Sequence, residues 1–415
     1  MDLQLRSSTD GSFDTEEWLH AVTRGFLRAP RMPEKEVAEW LARSDRGRLR
    51  GAFAGDRCVA TYRSFDQRLT VPGGTDVPAH AVTGVTVSPG HRRRGLLTRM
   101  MTADLAEAKE GGEMLSTLIA AEHGIYGRFG YGPATVSTAY TVEGSEAGLP
   151  ATWTLPEAEG MVDFHVDGSV VRSAGPELFE RFRLLHPGAV SRPARWWGVA
   201  TGEIARGPEW REPWHVLFRD AEGTVQGMAA FTTDRHWDRG VPDGTATVDW
   251  LVATTPTAER ALWSAVLSMD WVRRVRADRL PPDALLPDLL PNPRAARVTE
   301  ANDFLWVRPL DVPAMLRSRG YAVEGELVLE VTDPLGLAGG RFLLTAGPDG
   351  ADCVPTGRGA DLTLDTTALG TLYLGDRPAS RLLALGRLAE ETPGAVHRAD
   401  LLLAEPRRAW TPDVF

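Results

Sequence analysis

One stretch constrains the fold more than any other. Residues 82–87 read as a short buried apolar strand, Ser88-Pro89-Gly90-His91-Arg92-Arg93-Arg94-Gly95 as a turn, and Leu96, Leu97, Met100, Met101, Leu105 and Ala108 then recur at helical spacing. A second apolar strand at residues 114–120 completes a β-α-β unit, which predicts an α/β layer fold. A helix whose first turn is led in by glycine and arginine offers unpaired N–H groups, the positive end of its dipole and guanidinium donors to an anion such as a pyrophosphate. The bland alternative is a solvated basic turn. The spacing fits neither a nucleotide P-loop nor a Gly-x-Gly-x-x-Gly dinucleotide turn.

The rest of the chain divides around that unit. Residues 34–41 read as a helix and residues 50–63 as a hairpin turning near Gly55-Asp56. A glycine-punctuated segment, Gly124-Ile125-Tyr126-Gly127-Arg128-Phe129-Gly130-Tyr131-Gly132-Pro133, follows the second strand, and Gly, Pro, Ser and Glu between residues 143 and 160 suggest a linker. The next segment carries a helix at 176–185 and strands at 214–219 and 227–232. At 246–276 a strand ending near Ala253, a Thr254-Thr255-Pro256-Thr257 turn and a helix at 258–269 repeat the strand-turn-helix order without glycine or arginines. A structural copy lacking the anion site is the economical reading, and coincidence of a common unit is the other. A Pro- and Leu-rich connection at 280–293 leads to a strand at 298–307. An α+β segment follows, with a helix around residues 312–316, strands at 326–331, 340–344 and 361–364, and helices around 367–372 and 377–388.

Composition narrows the function classes. With 415 residues the chain suits two or three domains, and 46 Lys+Arg against 56 Asp+Glu leave a net charge of −10, so no global field draws it to nucleic acid or anionic lipid. The two cysteines, Cys58 and Cys353, have no partner at metal-ligand spacing, which argues against a disulfide framework or a metal site. No stretch approaches 18 uninterrupted apolar residues, and the expectation is a soluble, cytoplasmic protein.

Arg92-x-x-Gly95 after a strand and opening a helix resembles the acyl-CoA signature of the GNAT superfamily of N-acetyltransferases. The longer string Val87-x-Pro89-x-His91-Arg92-Arg93-Arg94-Gly95-Leu96-Leu97, the segment from Gly124 to Thr135, and Leu372-Tyr373-Leu374-Gly375 are similar to the Eis family of actinobacterial acetyltransferases. The resemblance spans essentially the whole chain. It implies α/β and α+β architecture: tandem GNAT-like domains, each a mixed sheet flanked by helices, and a C-terminal sterol-carrier-protein-like α+β domain. On this reading residues 1–150 bind acetyl-CoA, 151–295 form a GNAT-like domain without a cofactor site, and 296–415 end in the active site.

The resemblance further implies an acetyl-CoA co-substrate. Its pyrophosphate would meet Arg92, Arg93, Arg94, Gly95 and Leu96, and its pantetheine arm would lie along Val85, Thr86 and Val87. It gives Tyr126 the role of general acid toward the CoA thiolate and the C-terminal carboxylate of Phe415 that of base, although an α-carboxylate with an ordinary pKa of about 3.5 is a weak base. It also implies a homohexamer. Direct attack by an amine in a ternary complex requires no nucleophilic Cys or Ser.

Acceptor residues are less determined. Gly84 stands where the family carries an aromatic and Ala121 where Ser is common, while the tail ends Asp413-Val414-Phe415 in place of a penultimate acid. Asp413 or Glu122 is expected to meet a cationic amine, the acceptor class extending to aminoglycosides; Glu122 alternatively caps the next helix. His123 reads as a base or as a passive loop residue. Trp40, with Trp18, Trp196 and Trp197, lines an aromatic acceptor pocket or packs in a core. Two rival readings are an acetyl-CoA sensor with little turnover and a lipid binder centred on the third domain.

Overall fold

The computed structural model describes residues 3–43, 46–147, 159–165, 167–204, 210–234 and 236–415. The first stretch runs β1 (Leu3–Ser7), α1 (Thr15–Gly25), α2 (Glu34–Leu41), β2 (Arg48–Ala54), β3 (Arg57–Val71), β4 (Thr75–Val87), α3 (Leu96–Glu110), β5 (Leu115–Ile119), α4 (His123–Tyr126) and β6 (Gly132–Pro133). The second runs β7 (Val136–Glu143), α5 (Gly144–Ala147), β8 (Met161–His165), α6 (Gly168–Leu184), α7 (Ala194–Ala200), β9 (Trp214–Arg219), β10 (Val225–Thr233), β11 (Trp237–Asp238), β12 (Val241–Pro242), β13 (Gly244–Ala253), α8 (Pro256–Leu267), β14 (Val272–Leu280), α9 (Leu286–Leu289) and β15 (Ala296–Asp303). The third runs β16 (Leu305–Pro309), α10 (Val312–Ser318), β17 (Gly325–Thr332), β18 (Gly340–Gly347), β19 (Gly350–Pro355), β20 (Leu362–Asp365), α11 (Thr366–Leu372), α12 (Ala379–Ala384), β21 (Leu388–Glu390) and α13 (Ala395–Leu403).

These elements form two compact units, Met1–Ala134 with Phe304–Glu405 and Val414–Phe415, and Thr135–Asp303 with Pro406–Asp413. In the first unit a seven-stranded sheet has the order β1-β2-β3-β4-β5-β16-β6. The long β3-β4 hairpin, closed through Gly73 and Gly74 at positive φ, lies near its middle. Asp14 caps α1 by accepting from Glu17 N at 2.9 Å. The predicted apolar stripe of α3 is buried: Leu96, Met100, Met101, Leu105 and Ala108 pack with Ala60, Tyr62 and Val82 of β3 and β4. A five-stranded sheet, β19-β18-β17-β20-β21, with α10, α11, α12 and α13, forms the remainder. Its α11 lies directly on the backbone of β6 and β16, since a Cβ on Gly132 would stand 1.9 Å from Thr367 O and one on Gly370 2.2 Å from Val307 O.

The second unit holds a sheet of order β15-β7-β14-β13-β10-β9-β8, in which β13 and β14 run parallel around α8 as the repeated strand-turn-helix pattern predicts. Thr255 Oγ1 accepts from Ala258 N at 3.1 Å, so a side chain closes the start of α8 where Gly95 leaves the start of α3 open.

Several sequence boundaries move. The strand expected at 298–307 is two strands in two sheets, the polar, exposed β15 and the wholly buried β16, breaking at Phe304. Within residues 1–150, β7 pairs with β14 and β15 in the second sheet, so cuts at 150 and 295 run across the sheets. The helix expected at 176–185 begins at Gly168 under the Asp167 cap, with Pro176 inside it. The helix expected at 377–388 ends at Ala384 and gives way to β21. Of the expected linker, 144–147 are the helix α5, and residues 148–158 lie outside the described residues.

Candidate active site

The basic turn has the geometry of an anion cradle. Arg93 and Gly95 both take positive φ, at 61° and 70°, turning successive N–H groups toward the same side ahead of α3. The first helical bond is Arg99 N to Gly95 O at 3.0 Å, so the N–H groups of Leu96, Leu97 and Thr98 have no acceptor within the helix. Arg92, Arg93 and Arg94 are exposed, and Arg92 Nε reaches back to Val87 O at 3.5 Å.

Next to this cradle the sheet opens. β4 pairs with β5 only from His80 to Val82, while β4 runs on to Val87. Ser88 N donates to Val59 O, and alternation along the strand therefore turns the backbone groups of Val87 and Val85 away from β3, into the gap left by β5. A bulge produces the register: Thr61 faces Thr86 and Arg63 faces Thr83, leaving Gly84 and Val85 opposite Tyr62. Gly84 has φ of 63°, a conformation glycine adopts without a Cβ penalty. Thr86 points the other way. Its hydroxyl is 2.7 Å from that of Thr61 and its backbone faces β3, so it spaces Val85 and Val87 and does not itself border the opening.

Tyr126 ends the single turn α4, with its ring buried and edge-on to Tyr131 at 6.3 Å. Burial, reinforced by the Glu122 carboxylate, pushes its phenol up to about 12. Glu122 occupies the N-cap position of α4 without making a side-chain cap bond, and it is exposed. His123 stacks edge-on against Trp306 at 5.1 Å, a packing role. The end of the chain is on the same strand as the opening: Thr83 Oγ1 donates to Phe415 O at 2.9 Å, and the Phe415 ring meets Phe65 edge-on at 5.8 Å. Thr83 and Phe65 carry no sequence signal for this role, because the partner is more than three hundred residues away.

Residues 5–134 and 188–309 each match a model described as an acetyltransferase (GNAT) domain, and residues 312–412 match a sterol carrier protein domain. The chain is 38% identical to the N-acetyltransferase Eis of Mycobacterium tuberculosis over 367 residues, 85% of each chain. The chain belongs to the Eis family of N-acetyltransferases. Its Eis architecture extends over the full length: the crystal structure of Eis1 from Mycobacterium abscessus superposes with a TM-score of 0.84 at 29% identity, covering all of both chains. A protein of Streptomyces avermitilis described as an uncharacterized N-acetyltransferase is 53% identical over all of this chain and 99% of its own.

The structure decides between alternatives on the acceptor side of this Eis-family enzyme. Asp413 is buried in the second unit, its carboxylate bound by Arg192 Nε at 2.9 and 3.0 Å, so its charge is already spent. Trp40 is 8% exposed and packs on Trp18, ring centres 5.9 Å apart, with Leu19 and Val37; it closes the small core beneath α1 and α2. Trp196 and Trp197 stand in the second unit around Arg192. Both thiols are buried, which pushes Cys58 up to about 12 and Cys353 to about 11 and favours the protonated form.

Proposed function

We propose that this enzyme transfers an acetyl group from acetyl-CoA to a primary amine of a small cationic acceptor, aminoglycosides included, in a ternary complex. The observation that carries the reading is Phe415 O held by Thr83 Oγ1, two residues before the strand groups of Val85 that border the opening. An α-carboxylate on Phe415, next to this hydrogen bond, supports the role of base. The cradle of Arg92, Arg93, Arg94, Gly95 and Leu96 suits a pyrophosphate, and the outward backbone of Val85 and Val87 suits the amides of a pantetheine arm.

The chemistry follows from these groups. The Phe415 carboxylate accepts a proton from the acceptor ammonium, directly or through water. The amine lone pair attacks the thioester carbon, and a C–N bond forms as the C–S bond breaks; the nitrogen then gives up its second proton, which through water restores the Tyr126 phenol. The departing thiolate takes its proton from the Tyr126 phenol, which burial keeps protonated. Glu122, exposed at the start of α4, is the carboxylate left to meet acceptor charge once Asp413 is paired.

Thiol release from acetyl-CoA is the test, run with aminoglycosides, polyamines, arylalkylamines and lysine peptides. Release that requires a primary amine supports the reading. Acetyl-CoA binding by calorimetry with no release for any acceptor overturns it in favour of a sensor.

A further inference from the structure

A buried chain of polar groups runs through the first unit between Arg50 and Tyr131. Asp104 of α3 accepts from the Tyr62 hydroxyl at 2.8 Å through Oδ2, and from Ser64 Oγ at 2.8 Å and Arg50 Nε at 3.3 Å through Oδ1. His80 Nε2 stands 2.9 Å from Asp104 Oδ2, its Nδ1 is 2.9 Å from Ser116 Oγ, and Ser116 Oγ is 2.6 Å from the Tyr131 hydroxyl. Burial opposes the Asp104 charge, yet His80, Tyr62 and Ser64 hold its carboxyl below the usual carboxylate range. The carboxylate fixes an imidazole proton on Nε2, because a bare nitrogen there would set lone pair against lone pair. Asp104, His80 and Ser116 have the order of a hydrolytic triad, but Ser116 is fully buried and its hydroxyl meets Tyr131 where a substrate would stand.

The chain therefore ends on a tyrosine ring, and that ring faces the general acid. Tyr131 lies edge-on to Tyr126 with 6.3 Å between ring centres, and Tyr131 N donates to Tyr126 O at 3.4 Å. Among the described residues the Tyr126 hydroxyl has no hydrogen-bond partner, so packing alone aims it. His80 and Ser116 are also register partners where β4 and β5 begin to pair, ahead of the opening. Apolar groups of the same volume would fill this space about as stably as buried polar ones. What the connected polar chain adds is a single arrangement, which apolar side chains free to repack do not provide.

We propose that Ser116 and Tyr131 are positioning residues for the general acid: the chain from Asp104 through His80 holds the Tyr131 ring, and that ring sets the direction of the Tyr126 phenol. This rests on the reading of Tyr126 as the acid.

The test uses the full-length chain with Y131F and S116A, each alone and combined with Y126F. Y131F keeps the ring and removes only its hydroxyl, so it carries the test if S116A fails to fold. Two quantities are read: kcat with KM for acetyl-CoA, and the Tyr126 signal in NMR spectra of chains carrying 13C at the tyrosine ring ε positions, identified by its loss in Y126F. In Y131F and S116A kcat should fall about tenfold at nearly constant KM, with the Tyr126 signal displaced or broadened. Added to Y126F, either change should lower kcat by less than about twofold, because the group being aimed is already gone. Parent kcat in Y131F overturns the positioning, as does an unmoved Tyr126 signal in S116A or a tenfold loss that persists in the Y126F background. Parent kcat in Y126F overturns the acid instead, and the Tyr126 signal in S116A then decides whether the ring is held.

Discussion

At the scale of single residues the account turns on protons. A phenol raised to about 12 keeps its proton throughout the working range, so it can give one to a thiolate but cannot act as the base. Tyr126→Phe should lower kcat by about 10²-fold with little change in KM for acetyl-CoA, and the parent pH–rate profile should show no loss from phenol ionisation below about pH 10. A KM effect without a kcat effect would make Tyr126 a packing residue. The arginines of the turn read as an anion site because their chemistry is local, while Tyr126 entered only through the family resemblance of its glycine-punctuated segment. Thr83, Phe65 and Arg192 were not legible, because each acquires its meaning from a residue hundreds of positions away. The same distance explains Asp413: an acid third from the chain end reads as free to meet a cationic amine, and the structure buries it against Arg192.

At the scale of elements, the position of α4 depends on α11 behind it. Thr367 Oγ1 donates to Gly127 O at 3.2 Å, immediately after Tyr126, and α11 reaches this depth through the close approach at Gly132 and Gly370. Gly370→Ala sets a Cβ against Val307 O, and it should cost about 1–3 kcal/mol in denaturant unfolding, with kcat falling alongside. An alanine there with parent stability would mean the helix seats differently. Periodicity identified α3, α8 and the turns between strand and helix, because an apolar stripe at helical spacing is a local property. It missed the break at Phe304, since apolar and polar strand residues run on without a turn signal and only pairing with different sheets separates β15 from β16. It also shortened β4 to its last residues, because the polar positions of Thr75–Val87 look outward from a hairpin that sequence spacing does not reveal.

For the molecule as a whole, acid should act on the second unit. His215 is fully buried with neither ring nitrogen hydrogen-bonded, and burial lowers it to about 4; burial likewise lowers His186 to about 4. Between about pH 6.5 and 4 the unfolded chain binds these protons and the folded chain does not, so stability present above about 6.5 is lost as pH falls, on the order of 2–3 kcal/mol for His215. Urea unfolding from pH 7 to 4.5 should show that slope in the parent and a shallower one in H215L; equal slopes would contradict it. The repeated strand-turn-helix order of the two acetyltransferase-like parts was visible in the sequence, whereas the sterol-carrier part was implied by the resemblance to the Eis family. How β7 and β16 distribute between the sheets was not visible, because strand pairing is a long-range choice. The central claim is that the free carboxylate of Phe415 performs the proton transfer. The most direct measurement appends one alanine after Phe415, which keeps the aromatic ring and moves the charge. The account predicts that kcat falls by about 10²-fold while calorimetric binding of acetyl-CoA is unchanged. Turnover at the parent rate with the extra residue in place would contradict it.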